Sequence, residues 1–172
     1  MKTSSVRLAV LICLNVFAPK AIGITTPLIK QTCVKLKTHD EQLCINSLSQ
    51  VPESAHADVK GLAKIMADVV LRRHEVETKN KLTELMKQFP GDLVRLRNCL
   101  YYHGAIGLDI DRTVTNYIPT HKYKSAEASM EDAVNLAQQC ERLYDGRPPC
   151  PVEEENKMAI KLAYLAAGIV VM

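Results

Sequence analysis

Cysteine and histidine are the side chains of this sequence best suited to hold a metal or attack a substrate, and it carries six of the first and five of the second. Their spacing argues against both uses. Cys33 and Cys44 frame ten residues in the charged stretch QTCVKLKTHDEQLC, and no Cys-x-x-Cys pair occurs to make a zinc or redox motif. His74-Glu75 begins like a zinc-binding helix, but the second histidine of that pattern falls on Thr78. Cys99 and His103 stand one helical turn apart, the spacing of a thiolate–imidazole pair, yet no third group is placed to orient the ring. The carboxylates Asp109/Asp111 and Glu131/Asp132 are scattered over faces expected to be wet, whereas glycoside hydrolysis needs two carboxyl groups across a cleft. No glycine-rich phosphate loop is present. The reading is a protein without catalytic residues, metal or cofactor.

The elements that position these residues are helices, because apolar residues recur at three and four with almost no strand signal. The first stripe is Val59, Leu62, Met66, Val69, Arg73 and Val76. It opens after Pro52 and runs to about Gln88, where Phe89-Pro90-Gly91-Asp92 stops it. A second helix starts from Asp92 as N-cap. It runs through Leu93, Leu96, Leu100, His103, Gly107, Ile110, Val114 and Tyr117 to Pro119, with Cys99 beside the stripe. A third opens near Ser125 and carries Ala126, Met130, Ala133, Ala137, Cys140 and Tyr144 before Asp145-Gly146-Arg147-Pro148-Pro149. A fourth follows Pro151, with Glu153, Glu154 and Glu155 in its first turn, where negative charge suits the helix dipole. Its inward line is Met158, Leu162, Leu165 and Ile169, and Asn156, Lys157 and Lys161 lie off that line. Four helices with short connections predict an all-α, up-down-up-down four-helix bundle over residues 51–172. A helical hairpin over 24–50, turning at His39-Asp40, precedes it.

Residues 1–23 have Lys2 and Arg7, the apolar run Leu8–Ala18, and small residues at Ala21 and Gly23. That is the pattern of a secretory signal peptide cleaved after Gly23, leaving one domain over 24–172. Of the 22 basic residues, Lys2, Arg7 and Lys20 leave with it, so 22 − 3 = 19 remain against 19 acidic ones. A net charge of zero gives no support to a nucleic-acid partner. The run Leu162–Met172 is too short to cross a bilayer and reads as the buried end of the fourth helix, so no membrane partner is expected. Cys13 also leaves, and the other five cysteines enter an oxidising compartment where disulfides are the default. Cys33 and Cys44 read as a clamp on two short helices, outside the main core, that cannot hold themselves. Closing that loop contributes on the order of 3 kcal/mol. Antiparallel neighbours bring Cys99 and Cys140 together, and Cys150, in a Pro-rich loop, is left as the free thiol. No Asn-x-Ser/Thr sequon occurs.

The pattern resembles the plant invertase and pectin methylesterase inhibitors, which include pollen allergens. The resemblance rests on the signal peptide, the Cys-x10-Cys pair, and "GLAKIMADVV", "LRNCLYYHGAIGLDI", "SAEASMEDAVNLAQQCERL" and "PCPVEEENKMAIKLAYLA". It covers nearly all of 24–172. It implies a four-helix bundle with an N-terminal hairpin and disulfides joining the first two cysteines and the next two, in agreement with the pairing above; Cys150 departs from the family pattern. It also implies a secreted protein of the apoplast or cell wall, with the vacuole as alternative. Such a protein forms a one-to-one complex with pectin methylesterase or invertase by covering the substrate cleft. Cell-wall invertase inhibitors resemble one another in a Pro-Lys-Phe motif between the second and third long helices. The matching residues here, His121-Lys122-Tyr123, keep a cation and an aromatic ring but lack the proline, and their register to Met130 is shifted by two residues. These three residues are the candidate target-contact loop. Its degraded motif weighs slightly toward pectin methylesterase, and a plain helix connection is the bland reading of the same residues. A secreted helical carrier or structural protein is the reading from another class.

Overall fold

Two of the helices, those that open after Thr26 and Asp58, begin where a side chain accepts from the first backbone N–H groups, whereas Asp92, the expected N-cap of the second long helix, makes no such bond. The computed structural model describes residues 23–36, 40–145 and 149–172; residues 1–22 of the predicted signal peptide and the His39 side of the hairpin turn lie outside them. Helix α1 (Pro27–Lys35) has proline in its first turn, and the Thr26 hydroxyl accepts from the Ile29 N–H at 3.2 Å. Helix α2 (Glu41–Ser49) completes the hairpin. At α3 (Val59–Ile65), the Asp58 carboxylate accepts from the Gly61 N–H at 2.7 Å. The chain then continues without a break through a π-helical segment, Met66–Leu71, into α4 (Arg72–Gln88). A turn at Pro90–Asp92 leads to α5 (Leu93–Arg112), which is extended by a second π-helical segment, Thr113–Tyr117. Helices α6 (Tyr123–Arg142) and α7 (Glu153–Val170) complete the bundle. Helix α4 packs on α5, α5 on α6 and α6 on α7, and α7 closes the ring against α3. That is the predicted up-down-up-down, all-α arrangement.

The first π-helical segment moves the buried face of its helix. A π turn accommodates one extra residue, so the inward line steps by five instead of four. The buried residues are Leu62, Met66, Leu71, Glu75, Thr78 and Leu82. The expected continuation through Val69, Arg73 and Val76 is displaced accordingly: Val69 is half-buried, while Arg73 and Val76 are exposed. A strict 3.6 period has no means of anticipating that step. On α5 the inward line is Leu96, Cys99, His103, Ile106 and Ile110, so Cys99 lies on the seam and not beside it. Every residue placed inward on the third helix is buried. On α7, Leu162, Leu165 and Ile169 are buried as expected, but Met158 is 36% exposed and Asn156 is 0% exposed, reversing their expected places. Asp109, expected on a wet face, is buried under Ser129 of α6.

The hairpin is part of the main core and not an appendage to it. Ile29, Cys33, Cys44 and Leu48 are fully buried in one cluster with Leu62, Met66, Ile110, Met130 and Ile169. Gly168 lets it approach α7, since a Cβ there would stand 2.5 Å from Leu36 Cδ2. Lys161 of α7 reaches Asp40, on the α2 side of the hairpin turn, at 2.9 Å. The structure joins Cys33 to Cys44 across the hairpin and Cys99 to Cys140 across α5 and α6, with Cα separations of 5.7 and 4.7 Å. The second bond sits in a smaller cluster at the far end of the bundle with Leu82, Leu96, Tyr144, Cys150 and Val152. Among the described residues, no helix is long and apolar enough to cross a membrane.

Candidate interaction surface

The chemistry-bearing side chains of the interior are sealed off from any substrate. Glu75 and His103 are 1% and 0% exposed, and Glu75 Oε2 lies 2.7 Å from His103 Nδ1. The other ring nitrogen, Nε2, meets the Asn156 side-chain oxygen at 3.0 Å, and the Asn156 amide donates to Cys150 Sγ at 3.6 Å. This polar chain crosses the bundle from α4 through α5 to α7. Its hydrogen bonds link residues of three helices and so specify how those helices align, although Glu75 Oε1 is left without a partner. Cys99, adjacent to His103 in the helical pattern, is bonded to Cys140 and has no free thiol. His74 turns its Nε2 toward the Glu155 backbone carbonyl at 2.8 Å. The sulfur atoms of Cys99, Cys140 and Cys150 lie within 4.8 Å of one another, but two of them are committed to the disulfide.

The candidate contact loop is an ordered helix connection. The π-helical end of α5 runs into Pro119, and the chain reverses with the Lys122 N–H donating to the Tyr117 carbonyl at 2.8 Å. His121 sits at φ 57°, in the left-handed region, where histidine is one of the more tolerated side chains. Its Nδ1 lies 2.7 Å from the Tyr123 hydroxyl. His121 and Lys122 are exposed. Tyr123 is half-buried and packs against the main core. The Lys60 ammonium lies 3.9 Å from the centre of the Tyr123 ring and also donates to the Val170 carbonyl at the end of α7 at 2.7 Å. The three residues are thus brought together, but the aromatic ring is held by α3 and α7 and only the imidazole and the ammonium face outward.

A second feature is not among the sequence-based expectations. Val94, Tyr101 and Leu108 of α5 are 74%, 72% and 56% exposed and recur at intervals of seven, on the side of the helix away from its buried line. Tyr101 and Leu108 border a groove of about 620 Å³ between α5 and α6, whose polar margin includes Asp109, Arg112, Asp132 and Gln139. Burial pushes the Asp109 carboxyl up, partly opposed by the neighbouring Arg112 guanidinium, and Asp132 adds to the rise. The sequence signal for this face is the heptad spacing of large apolar residues outside the inward stripe. Scattered exposed apolar residues are ordinary; three in line beside a groove form a surface suited to a protein partner.

Comparison with known proteins places this geometry in context. The family model described as "Plant invertase/pectin methylesterase inhibitor" matches residues 27–167. A protein named "Pectinesterase inhibitor 8" from Oryza sativa subsp. japonica is 25% identical over 135 residues, covering 76% of this chain and 72% of its own length. A "Putative invertase inhibitor" from Platanus orientalis is 22% identical over 159 residues, covering 85% of this chain and 89% of its own. The crystal structure of a pectin methylesterase inhibitor from Arabidopsis thaliana has the same fold, with a TM-score of 0.61 at 16% identity over 87% of this chain and 97% of that one.

Proposed function

The chain belongs to the plant invertase/pectin methylesterase inhibitor family, and from that premise we propose that it is a secreted inhibitor whose target is pectin methylesterase. Membership makes it an inhibitor of one of two carbohydrate-processing enzymes and not an enzyme itself. It also disfavours a helical carrier. The observation that carries the choice of target is the state of Tyr123. An inhibitor that enters a sugar pocket through a loop needs an aromatic ring free to occupy the place of a sugar, and a pocket lined by carboxylates suits a cation beside it. Here the cation, Lys122, is free, but the ring is packed on the core beneath Lys60 and fixed through its hydroxyl to His121. Freeing it would cost those contacts before any were made with a target.

The mechanism is occlusion by a preformed surface. A rigid bundle with two disulfides has little to order on binding, which lowers the entropic cost of association. The face proposed to dock is the outer side of α5 with its groove against α6, where Val94, Tyr101 and Leu108 supply the apolar centre. Pectin methylesterase works in the cell wall, and secretion to the apoplast is the location this reading requires. The test compares two variants in a one-to-one titration of pectin methylesterase. His121→Ala with Lys122→Ala should leave inhibition within about twofold. Tyr101→Ala with Leu108→Ala should weaken it by about tenfold or more, as loss of central apolar anchors does. The opposite ranking, with the loop variant losing inhibition and the α5 variant retaining it, would assign the contact to the loop.

A further inference from the structure

Cys150 is the one cysteine of the described residues outside a disulfide, and it stands beside one. It is buried, 6% exposed, in the connection that enters α7. Its sulfur lies within 4.8 Å of both sulfurs of the Cys99–Cys140 bond. The three side chains come from α5, from the end of α6 and from the loop that follows, so each pair among them ties different elements. We propose that Cys99, Cys140 and Cys150 form an intramolecular thiol–disulfide exchange centre, in which Cys150 displaces one partner of the Cys99–Cys140 bond and changes which elements are covalently joined.

The step balances without an outside oxidant or reductant. The Cys150 thiol gives up its proton, and its thiolate attacks one sulfur of the disulfide. A new bond forms to that sulfur, the Cys99–Cys140 bond breaks, and the departing sulfur leaves as a thiolate that takes up a proton. Attack on Cys140 gives Cys140–Cys150, which closes a short loop between α6 and α7 and releases α5. Attack on Cys99 gives Cys99–Cys150, which ties α5 to the loop and frees α6. In an unfolded chain the shorter loop forms more readily: a separation of 150 − 140 = 10 against 41 for Cys99–Cys140 favours it about eightfold by loop-closure entropy. The exchange therefore also offers a route by which an early Cys140–Cys150 bond is converted to the one found in the folded bundle.

The surroundings set the rate. Burial raises the Cys150 thiol above its ordinary range, and the carboxylates of Glu141 on α6 and Glu153 on α7 add to that. The Val152 N–H and the Asn156 amide oppose it by donating to the sulfur. Tyr144, buried and donating its hydroxyl to Asp92 at 2.8 Å, borders the same pocket, and through Asn156 the site touches the Glu75–His103 pair. In acid the thiolate is scarce and the existing bond is locked; exchange speeds up by about tenfold per pH unit while the thiol form predominates.

Two arms test this on the secreted chain after loss of the signal peptide and, with it, of Cys13. Cys99→Ser and Cys140→Ser are prepared separately, checked for unchanged helicity, and mapped by alkylation in denaturant. Cys150 is expected to replace the missing partner, so that alkylatable thiols fall from one in the wild type to none. Two free thiols in both variants would overturn the proposal. In the second arm, unreduced wild-type protein kept at acid pH is moved to pH 8.5 without added thiol, quenched in acid and mapped. The single thiol should spread from Cys150 to Cys99 or Cys140. A thiol that stays on Cys150 throughout would overturn the exchange even if the variants rearrange, and this arm decides should a variant fail to fold.

Discussion

Replacing His103 by leucine isolates what the buried polar chain contributes. The imidazole supplies the hydrogen-bond partner of Glu75 Oε2, at 2.7 Å, while Glu75 Oε1 has none. Glu75 is 1% exposed, so His103→Leu leaves a carboxylate buried, unpaired and away from water. Breaking a buried pair from one side costs about 3–5 kcal/mol. The Asn156 oxygen also loses its partner at 3.0 Å, which adds a further cost of about 1–3 kcal/mol when nothing replaces it. The two costs overlap, because the side chains can readjust together, and we take about 4 kcal/mol as the expected loss. For a domain of this size that lowers Tm by roughly 8–16 °C. Leucine is close to histidine in volume, so a cavity is not the source. Glu75→Leu combined with His103→Leu removes both the charge and the unmet need, and should recover most of the loss, since apolar replacement of a whole buried pair is often neutral or better. Urea unfolding followed by circular dichroism reads all three proteins, with equal slopes required for comparison. A His103→Leu loss below about 1 kcal/mol, or a double variant no more stable than the single one, would refute the reasoning.

Three other perturbations separate further parts of the account. Gly104 and Gly107 lie inside α5 with nothing within 4 Å of where an alanine methyl would stand, so alanine at each should raise stability by about 0.5–1 kcal/mol; Gly168→Ala should give no such gain, because its methyl would press on Leu36 at 2.5 Å. Asp109→Asn tests pH dependence: burial, the largest cause, holds the folded carboxyl above its ordinary value. The penalty for ionising it is therefore absent below about pH 4 and develops as pH rises through the unfolded and then the folded value. The variant's stability advantage should grow from acid to neutral pH in paired urea curves, and a constant difference would contradict the assignment. Cys33→Ser with Cys44→Ser should cost about 2–5 kcal/mol in one cooperative transition, because both side chains are in the main core; early proteolysis of the hairpin with an unaltered bundle would show instead that it folds apart.

Much of the architecture is legible in the sequence because amphipathic helices advertise their buried faces. The third helix is legible throughout, from Ala126 to Tyr144, because it contains no irregular turn and its inward residues are small or apolar. The first long helix departs from its periodicity beyond Met66, where the π-helical segment Met66–Leu71 shifts the inward line by one position. No residue in MADVVL signals that shift, because it is set by how α3 and α4 must pack against different neighbours. Polarity assigns Asn156 to solvent, yet it is buried where it bridges His103 and Cys150; a polar residue is placed inside by partners that are distant in sequence. The hairpin looks too small for the core when its own length is considered without the surface α7 offers at Gly168. The loop His121-Lys122-Tyr123 is recognisable as a connection between long helices, but the engagement of Tyr123 by Lys60 depends on a contact between residues far apart in the chain.

The central claim is that the intact protein stops pectin methylesterase by covering it. Purified protein, with its disulfides intact, is titrated into separate assays of plant pectin methylesterase and plant invertase at the mildly acid pH of the cell wall. The account predicts loss of pectin methylesterase activity with an end point near one inhibitor per enzyme, and invertase activity little changed at the same concentrations. Potent inhibition of invertase, with pectin methylesterase left active, would contradict it.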